Sequence, residues 1–303
     1  VYSILLSVAL SFALGSLVQY VSRLIFTFHI EKRYKYVAAL FGGVAMTAIT
    51  FFILVKGLKS ITFVPSEVKD FIKESPLTII AYSLILWTIV CQLLISVFKY
   101  SVFKFIIIVG TFGLALAFAG NDLVNFIGVP IAAYQAFEIW AAPGQTVGAT
   151  EFMMSGLEKE NLPAPFIFLA LAGLVMVYTL WTSKKAKSVI ETEQNLSRQG
   201  EGNEKYNANT LSRNIVRAMM YLGNIISFIL PKSLQKKLDA QFVQPEYTGK
   251  RDEQPMFDMV RASVNLIVAS VLISIGTSLK LPLSTTYVTF MVAMGSSFAD
   301  RAW

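Results

Sequence analysis

Seven long stretches of the chain are essentially uncharged, and this feature limits its possible folds more than any other. About 20 apolar residues in a helix cross the hydrocarbon core of a bilayer. With 55% hydrophobic and 15% charged residues, the chain has too little charge to cover a soluble protein. We therefore expect an all-α polytopic membrane protein whose spans come from residues 1–22, 36–55, 76–98, 105–137, 162–183, 262–279 and 281–299.

Two of these stretches differ from a simple span. Residues 105–137 are too long for one crossing and contain Asn121, Asp122 and Pro130, whereas residues 281–299 are short and begin next to Pro282. We expect broken or re-entrant helices at both places, a backbone that membrane proteins tolerate only against protein or water.

The basic residues are concentrated in alternate loops. Residues 29–35, 99–104 and 184–187 are rich in lysine and arginine, while residues 56–75 and 141–161 mix acids with bases. By the positive-inside rule, the first group of loops faces the cytoplasm. This placement accounts for the net charge of +7 without nucleic acid as a partner. We expect a multi-pass protein of a bacterial inner (plasma) membrane.

A polar segment divides the chain into three parts. Residues 1–182 hold transmembrane helices, residues 183–258 are expected to form a cytosolic insert, and residues 259–303 a transmembrane helix followed by a hairpin. Within the insert, apolar residues at helical spacing predict an amphipathic helix over residues 209–230. Such a helix suits either anionic lipid headgroups or another cytosolic domain, and the sequence favours neither.

Three consecutive hydroxyl residues lie between the last two apolar stretches. Pro282 is suited to begin a helix, and Ser284, Thr285 and Thr286 follow it closely. A helix that begins there directs free N–H groups and the positive end of its dipole at the space in front, and the hydroxyls add donors. We predict an anion site. An equally consistent alternative is that the hydroxyls bond carbonyls of the preceding turn.

The second polar motif lies inside residues 105–137. Asp122 in a membrane helix costs about 2.5 to 3.5 kcal/mol by insertion scales, so it needs a partner. Asn121 and Asn125 supply carbonyl oxygens, and oxygen ligands suit a hard ion such as sodium. We predict a cation site here. The alternative, a helix that ends at the water interface, does not explain why apolar residues resume at Leu123.

Few residues are available for catalysis or transition-metal binding. The chain has one histidine, His29, and one cysteine, Cys91. A His/Cys metal cluster and a histidine-dependent hydrolase are therefore poorly supported, and we expect neither an enzyme nor an organic cofactor. An anion site and a cation site at breaks in membrane helices are instead typical of an ion-coupled transporter.

In these motifs the chain resembles the inorganic phosphate transporter (PiT) family. Members are sodium- or proton-coupled phosphate symporters with two inverted repeats, each carrying a Gly-small-Asn-Asp-x-x-Asn motif and a Pro-x-Ser-Thr-Thr motif. The present sequence reads Ala-Gly-Asn-Asp-Leu-Val-Asn over residues 119–125 and Pro-Leu-Ser-Thr-Thr over residues 282–286. The resemblance implies an inverted-repeat transporter of phosphate, with sodium or a proton as the coupling ion.

The resemblance also implies a role for each motif residue. Phosphate contacts fall to Ser284, Thr285, Thr286 and Asn125. Sodium or other cation contacts fall to Asn121 and Asp122.

The chain departs from the family pattern in three ways. Ala119 replaces the usual first glycine, and Tyr287 replaces a frequent histidine, which leaves sodium and proton coupling both open. Each motif is present once, although the substrate site of such folds lies between two repeats. We expect the other half of the site to come from the missing remainder of the same polypeptide, or from a second copy in a homodimer.

Two other functions fit the same residues. The first is transport of another oxyanion such as sulfate, which the Ser-Thr-Thr sequence does not distinguish from phosphate. The second is a membrane scaffold or sensor that transports nothing and acts through residues 183–258.

Overall fold

Every regular element that the structure describes is helical. The computed structural model describes residues 2–26, 35–51, 74–142, 150–158, 164–197, 231–243, 258–279 and 283–302, with residues 67, 148, 210, 213, 214, 217, 220, 221 and 281. These residues form a 3₁₀ turn at Ser155–Glu158 and the helices α1 (Tyr2–Ile25), α2 (Lys35–Ile49), α3 (Pro76–Ser96), α4 (Val102–Ala141), α5 (Phe166–Thr182), α6 (Lys184–Leu196), α7 (Lys232–Gln241), α8 (Met259–Ser278) and α9 (Thr285–Ala299). The predicted all-α class is confirmed for this part of the chain.

Among the described residues, four helices are long and apolar enough to cross a membrane. They are Ile4–Ile25, Pro76–Ser96, Val102–Leu123 and Met259–Ser278. α5 meets α6 at a bend of 73°, and counts as a fifth span only together with it. α2 and α9 have 15 residues each. Such helices are about 22 Å long, shorter than the bilayer core of about 30 Å.

α4 corrects the expectation of a broken helix. It runs without interruption through 40 residues and contains Asn121, Asp122 and Pro130. Pro130 removes one backbone hydrogen bond, a loss that membrane helices tolerate. Asp122 accepts hydrogen bonds from Asn121 and Thr285. Its polarity therefore does not require the helix to stop. The expected break at this motif and the alternative that the helix ends there are both wrong.

α1 and α9 pack closely and run in the same direction. Gly15 faces the backbone of Val292, and a Cβ on Gly15 would lie 2.5 Å from the Val292 carbonyl oxygen. Ser16 Oγ donates across the contact to the Gly295 carbonyl oxygen at 2.9 Å. Small residues allow this approach, which is how apolar helices associate where no hydrophobic effect acts between them.

α8 lies between α4 and α9 and carries much of the core. Its apolar residues form one buried cluster with residues of α4 and α9, and the members are Leu114, Ala117, Val264, Val268, Ala269, Ile273, Val288 and Val292. α8 and α9 therefore form a hairpin, and Leu279 at the end of α8 and Ser284 at the start of α9 mark its tip at one end of the helix bundle.

Residues 183–258 begin with α6, a helix that the sequence analysis did not predict. The Ser183 hydroxyl accepts from the Ala186 backbone N–H at 3.2 Å at its start. Asp258 N–H donates to the Ser197 carbonyl oxygen at 2.9 Å, so the end of α6 lies beside the start of α8. The helix predicted over residues 209–230 falls largely outside the described residues, and it stays a prediction.

The close contact of α1 and α9 predicts that a methyl group added at Gly15 lowers stability, whereas one added at Gly173 does not. Gly15→Ala forces α1 away from the α9 backbone and should lower stability by about 1 to 3 kcal/mol, as overpacking does. Gly173→Ala in α5 is the matched control, because a Cβ there meets nothing within 4 Å. Thermal unfolding of the purified protein in detergent should show a lower Tm for the first variant alone. Equal Tm values for the two variants would contradict the packing.

Candidate functional site

The hydroxyl motif lies where α9 begins. Ser284 is the residue that caps the helix, with φ −97° and ψ 113°, and its side chain accepts from the Tyr287 N–H at 3.4 Å. The N–H groups of the first turn and the positive end of the α9 dipole are thus at the tip of the α8–α9 hairpin. Pro282, which was expected to start the helix, lies outside the described residues.

Thr285 joins the hydroxyl motif to the Asn-Asp motif. Its Oγ1 donates to Asp122 Oδ2 at 2.9 Å and is 3.3 Å from Asp122 Oδ1. The two residues are 163 positions apart in the sequence. Thr285 is only 5% exposed, so this hydrogen bond lies within the helix packing. The structure therefore brings together the predicted anion motif and the predicted cation motif.

Asp122 is held by neutral groups. Asn121 Nδ2 donates to Asp122 Oδ1 at 2.9 Å, which leaves the Asn121 carbonyl oxygen available as a ligand. Within the described residues, no lysine or arginine forms an ion pair with Asp122. A carboxylate accepts about four hydrogen bonds, and two donors, the Asn121 amide and the Thr285 hydroxyl, occupy Asp122. Asp122 therefore retains acceptor capacity beyond these two donors.

The remaining two predicted residues lie beside this pair without bonding to it. Asn125 is exposed one helical turn beyond Asn121, and Thr286 is exposed next to Thr285. Neither forms a hydrogen bond to Asp122 in this structure. Of the six predicted residues, the structure thus joins Asn121, Asp122 and Thr285 by hydrogen bonds, while Asn125 and Thr286 are exposed neighbours in the sequence.

A separate groove lies between α4 and α5. Its volume is about 210 Å³, and it is lined by Leu123, Ile127, Gly128, Ile131, Gln135, Ala164 and Leu169. The lining is predominantly apolar and includes none of the six predicted site residues, so this groove does not suit a small oxyanion. No group of three or more His, Cys, Asp or Glu side chains suited to a metal ion occurs in the part of the chain that the structure describes.

A buried ionic cluster, formed by Gln19, Arg23, Asp258, Arg261 and Asp300, fastens α1, α8 and α9 together. Arg23 pairs bidentately with Asp300, with Nε at 2.9 Å from Oδ1 and Nη2 at 2.6 Å from Oδ2. Arg261 Nε and Gln19 Nε2 donate to Asp300 Oδ2 at 2.9 Å and 2.8 Å. Arg23 Nη2 also lies 3.2 Å from Asp258 Oδ2. With two arginines and two aspartates, the cluster has no net charge.

The ionic cluster lies at the end of the bundle away from the hairpin tip. Asp258 caps the start of α8 and accepts from the Arg261 N–H at 2.8 Å, whereas the hairpin tip follows the end of α8. The 20 residues of α8 between them correspond to a length of about 30 Å. The sequence analysis missed the cluster. The available signal was a charged residue just beyond each of three apolar stretches, at Arg23, Arg261 and Asp300.

The arginines determine the ionisation of Asp300. Burial would raise the pKa of its carboxyl, but hydrogen bonds and charge from Arg23, with the charge of Arg261, more than offset burial. The pKa of Asp300 therefore lies below its ordinary value. Since both arginines and the aspartate are completely buried, the loss of one partner leaves an uncompensated charge among the helices.

No protein-family model, no curated protein sequence and no solved structure matches this chain. Function is therefore inferred from the residues and their geometry.

The ionic cluster predicts a strong effect of one charge-removing substitution. Asp300→Asn leaves the arginines without their shared counter-ion and should reduce the free energy of unfolding by about 3 to 5 kcal/mol. Asp239→Asn is the control, because Asp239 and its partner Arg301 are exposed (62% and 56% of their side chains), so solvent screens the pair. Thermal unfolding in detergent measures both variants, and a control as damaging as Asp300→Asn would contradict the assignment.

The unsubstituted protein and the Asp300→Asn variant also give a pH test. The stabilisation from Asp300 is complete above the ordinary carboxylate pKa and is lost as the pH falls through the lowered folded-state pKa. The Tm of the unsubstituted protein should therefore approach that of Asp300→Asn on acidification.

Proposed function

We propose that the protein is a secondary active transporter of inorganic phosphate, coupled to sodium or protons. The observation that carries this proposal is the hydrogen bond between Thr285 and Asp122, which joins an anion-binding motif to a cation-binding motif. A symporter needs its two ligands close enough to affect each other, and this contact supplies that proximity. Residues 1–303 form a multi-pass protein in this proposal, and a bacterial inner membrane is the proposed location.

The start of α9 supplies the donors for the oxyanion. Ser284 and Thr286 carry hydroxyls, and the Thr285 and Thr286 N–H groups have no carbonyl one turn earlier within α9, whereas the Tyr287 N–H donates to Ser284 Oγ. Helix N-termini and neutral hydroxyls bind tetrahedral oxyanions without an arginine. Neutral donors suit transport because the ligand must also be released.

Asp122 supplies the acceptor for the coupling ion. It is partly buried, carries a charge that no cationic side chain neutralises among the described residues, and has the Asn121 carbonyl group beside it. Oxygen ligands of this type suit sodium. A proton on the carboxylate is the alternative coupling ion.

The carboxylate beside the hydroxyls also favours phosphate over sulfate. At neutral pH phosphate carries at least one proton and can donate a hydrogen bond to Asp122, whereas sulfate has no proton to donate. A cation on Asp122 removes the repulsion that either anion would otherwise meet.

The proposal extends to an inverted-repeat fold in which α8 crosses the membrane and the segment with α9 is broken or re-entrant. Its support is the 15-residue length of α9, which is too short for a full crossing of about 30 Å. A second pair of motifs would then face this one, from the remainder of the polypeptide or from a second copy in a homodimer.

The proposal predicts that the two motifs fail in different ways in the full-length protein. Ser284→Ala removes a donor to a charged ligand, an interaction worth about 1.5 to 3 kcal/mol, and should lower phosphate affinity about tenfold to a hundredfold. Asp122→Asn should instead raise the sodium or proton concentration needed for half-maximal uptake. Phosphate uptake into reconstituted vesicles measures both effects.

Thr277→Val is the matched control for this experiment. Its hydroxyl is in α8 before the hairpin and donates to the Ile273 carbonyl oxygen at 2.8 Å, so removing it should leave phosphate affinity unchanged. Absence of phosphate uptake by the unsubstituted protein under any sodium or proton gradient would contradict the proposed function.

A further inference from the structure

One hydroxyl hydrogen connects the two halves of the proposed site. Thr285 is predicted to donate to the anion, yet its hydroxyl donates to Asp122 Oδ2 at 2.9 Å in this structure. A threonine hydroxyl has a single hydrogen and two lone pairs. Thr285 can therefore donate either to the carboxylate or to an anion, but not to both at once.

We propose that Thr285 is the switch that couples the cation to the anion, an inference that rests on the proposed function. Without a cation, the Thr285 hydrogen is held by Asp122. A cation at Asp122 is coordinated by the carboxylate oxygens and by a lone pair of Thr285 Oγ1. The Thr285 hydroxyl hydrogen then points toward the anion. A proton on Asp122 acts in the same way, because the protonated carboxyl donates to Thr285 Oγ1.

Burial makes the loss of the Thr285–Asp122 hydrogen bond costly unless another acceptor replaces the carboxylate. Thr285 is 5% exposed, so water has little access to its hydroxyl. A donor withdrawn from Asp122 therefore needs another acceptor, because an unpaired buried polar group is costly. The anion in front of α9 is that acceptor, and its binding becomes favourable only after the cation has replaced Thr285 at the carboxylate.

The neighbouring hydroxyls do not share this role. Ser284 Oγ accepts from the Tyr287 N–H, so its own hydrogen is available to an anion whether or not a cation is present. Thr286 is exposed and does not bond to Asp122. All three hydroxyls lie at the start of α9, but among them only Thr285 donates a hydrogen bond to the Asp122 carboxylate.

This switch implies an order of binding. The cation binds first, because an anion that arrives alone meets the charge of Asp122 and finds the Thr285 hydrogen already in use. Sodium should then raise phosphate affinity by a coupling factor within the usual range of about 5-fold to 150-fold. Phosphate should raise sodium affinity by the same factor, because coupling between two binding equilibria is reciprocal.

Phosphate isotherms on the purified full-length protein test the switch. The coupling factor is the ratio of Kd for inorganic phosphate in N-methyl-D-glucamine chloride to Kd in sodium chloride, at one pH and one ionic strength. Thr285→Val keeps the shape and removes the hydroxyl, and should lower the coupling factor several-fold, toward 1. Thr285→Ser keeps the hydroxyl and should retain most of the coupling.

Thr286→Val is the matched control. It removes the adjacent hydroxyl, which is also predicted to bind phosphate, but which does not contact Asp122. Phosphate affinity should fall by the same factor in both salts, so the coupling factor should stay at its unsubstituted value.

Two results would overturn the switch. An unchanged coupling factor in Thr285→Val would mean that sodium and phosphate interact only through their charges, and loss of coupling in Thr285→Ser would mean that the hydroxyl is not responsible. Should Thr285→Val not fold, Thr285→Ala gives the same comparison. Failure of the unsubstituted protein to bind inorganic phosphate in either salt would overturn the proposed function, and this inference with it.

Discussion

A carboxylate buried among apolar helices must find donors, and this requirement organises both ends of the helix bundle. At one end, Asp300 is surrounded by Arg23, Arg261 and Gln19, which come from α1 and α8. At the other end, Asp122 of α4 accepts from Thr285 of α9. Helix packing in lipid gains little from the hydrophobic effect, so such polar contacts, together with close contacts at glycine, determine which helices are neighbours.

The partners of the two carboxylates differ in charge, and this difference separates the ionic cluster from the proposed binding site. Asp300 and Asp258 are matched by two arginines, so the ionic cluster has no charge left for a ligand. Asp122 has only hydroxyl and amide donors within the described residues. The ionic cluster thus fixes α8 and α9 at one end, while the other end presents a charge that a cation can neutralise.

The helical class could be predicted from the sequence. Apolar stretches of about 20 residues have few alternatives to a membrane helix. The sequence analysis named Thr285 and Asp122 as site residues but did not predict the hydrogen bond that joins them.

Other features depended on contacts between distant parts of the chain. α4 continues through Asp122, whose partner Thr285 lies 163 positions away, so the motif alone suggested a break. The pairing of Arg23 with Asp300 spans 277 positions, and no local pattern shows which charges meet. α6 was missed because its polar composition resembles that of the rest of residues 183–258.

A structure of the full-length protein with sodium and inorganic phosphate would test most directly whether Asp122 and Thr285 form one site for both ligands. We expect the oxyanion in front of α9, within hydrogen-bond distance of the Ser284 and Thr285 hydroxyls, and the cation at Asp122, with the Thr285 hydrogen no longer donated to the carboxylate. Phosphate bound away from the start of α9, with the bond from Thr285 to Asp122 unchanged, would contradict this.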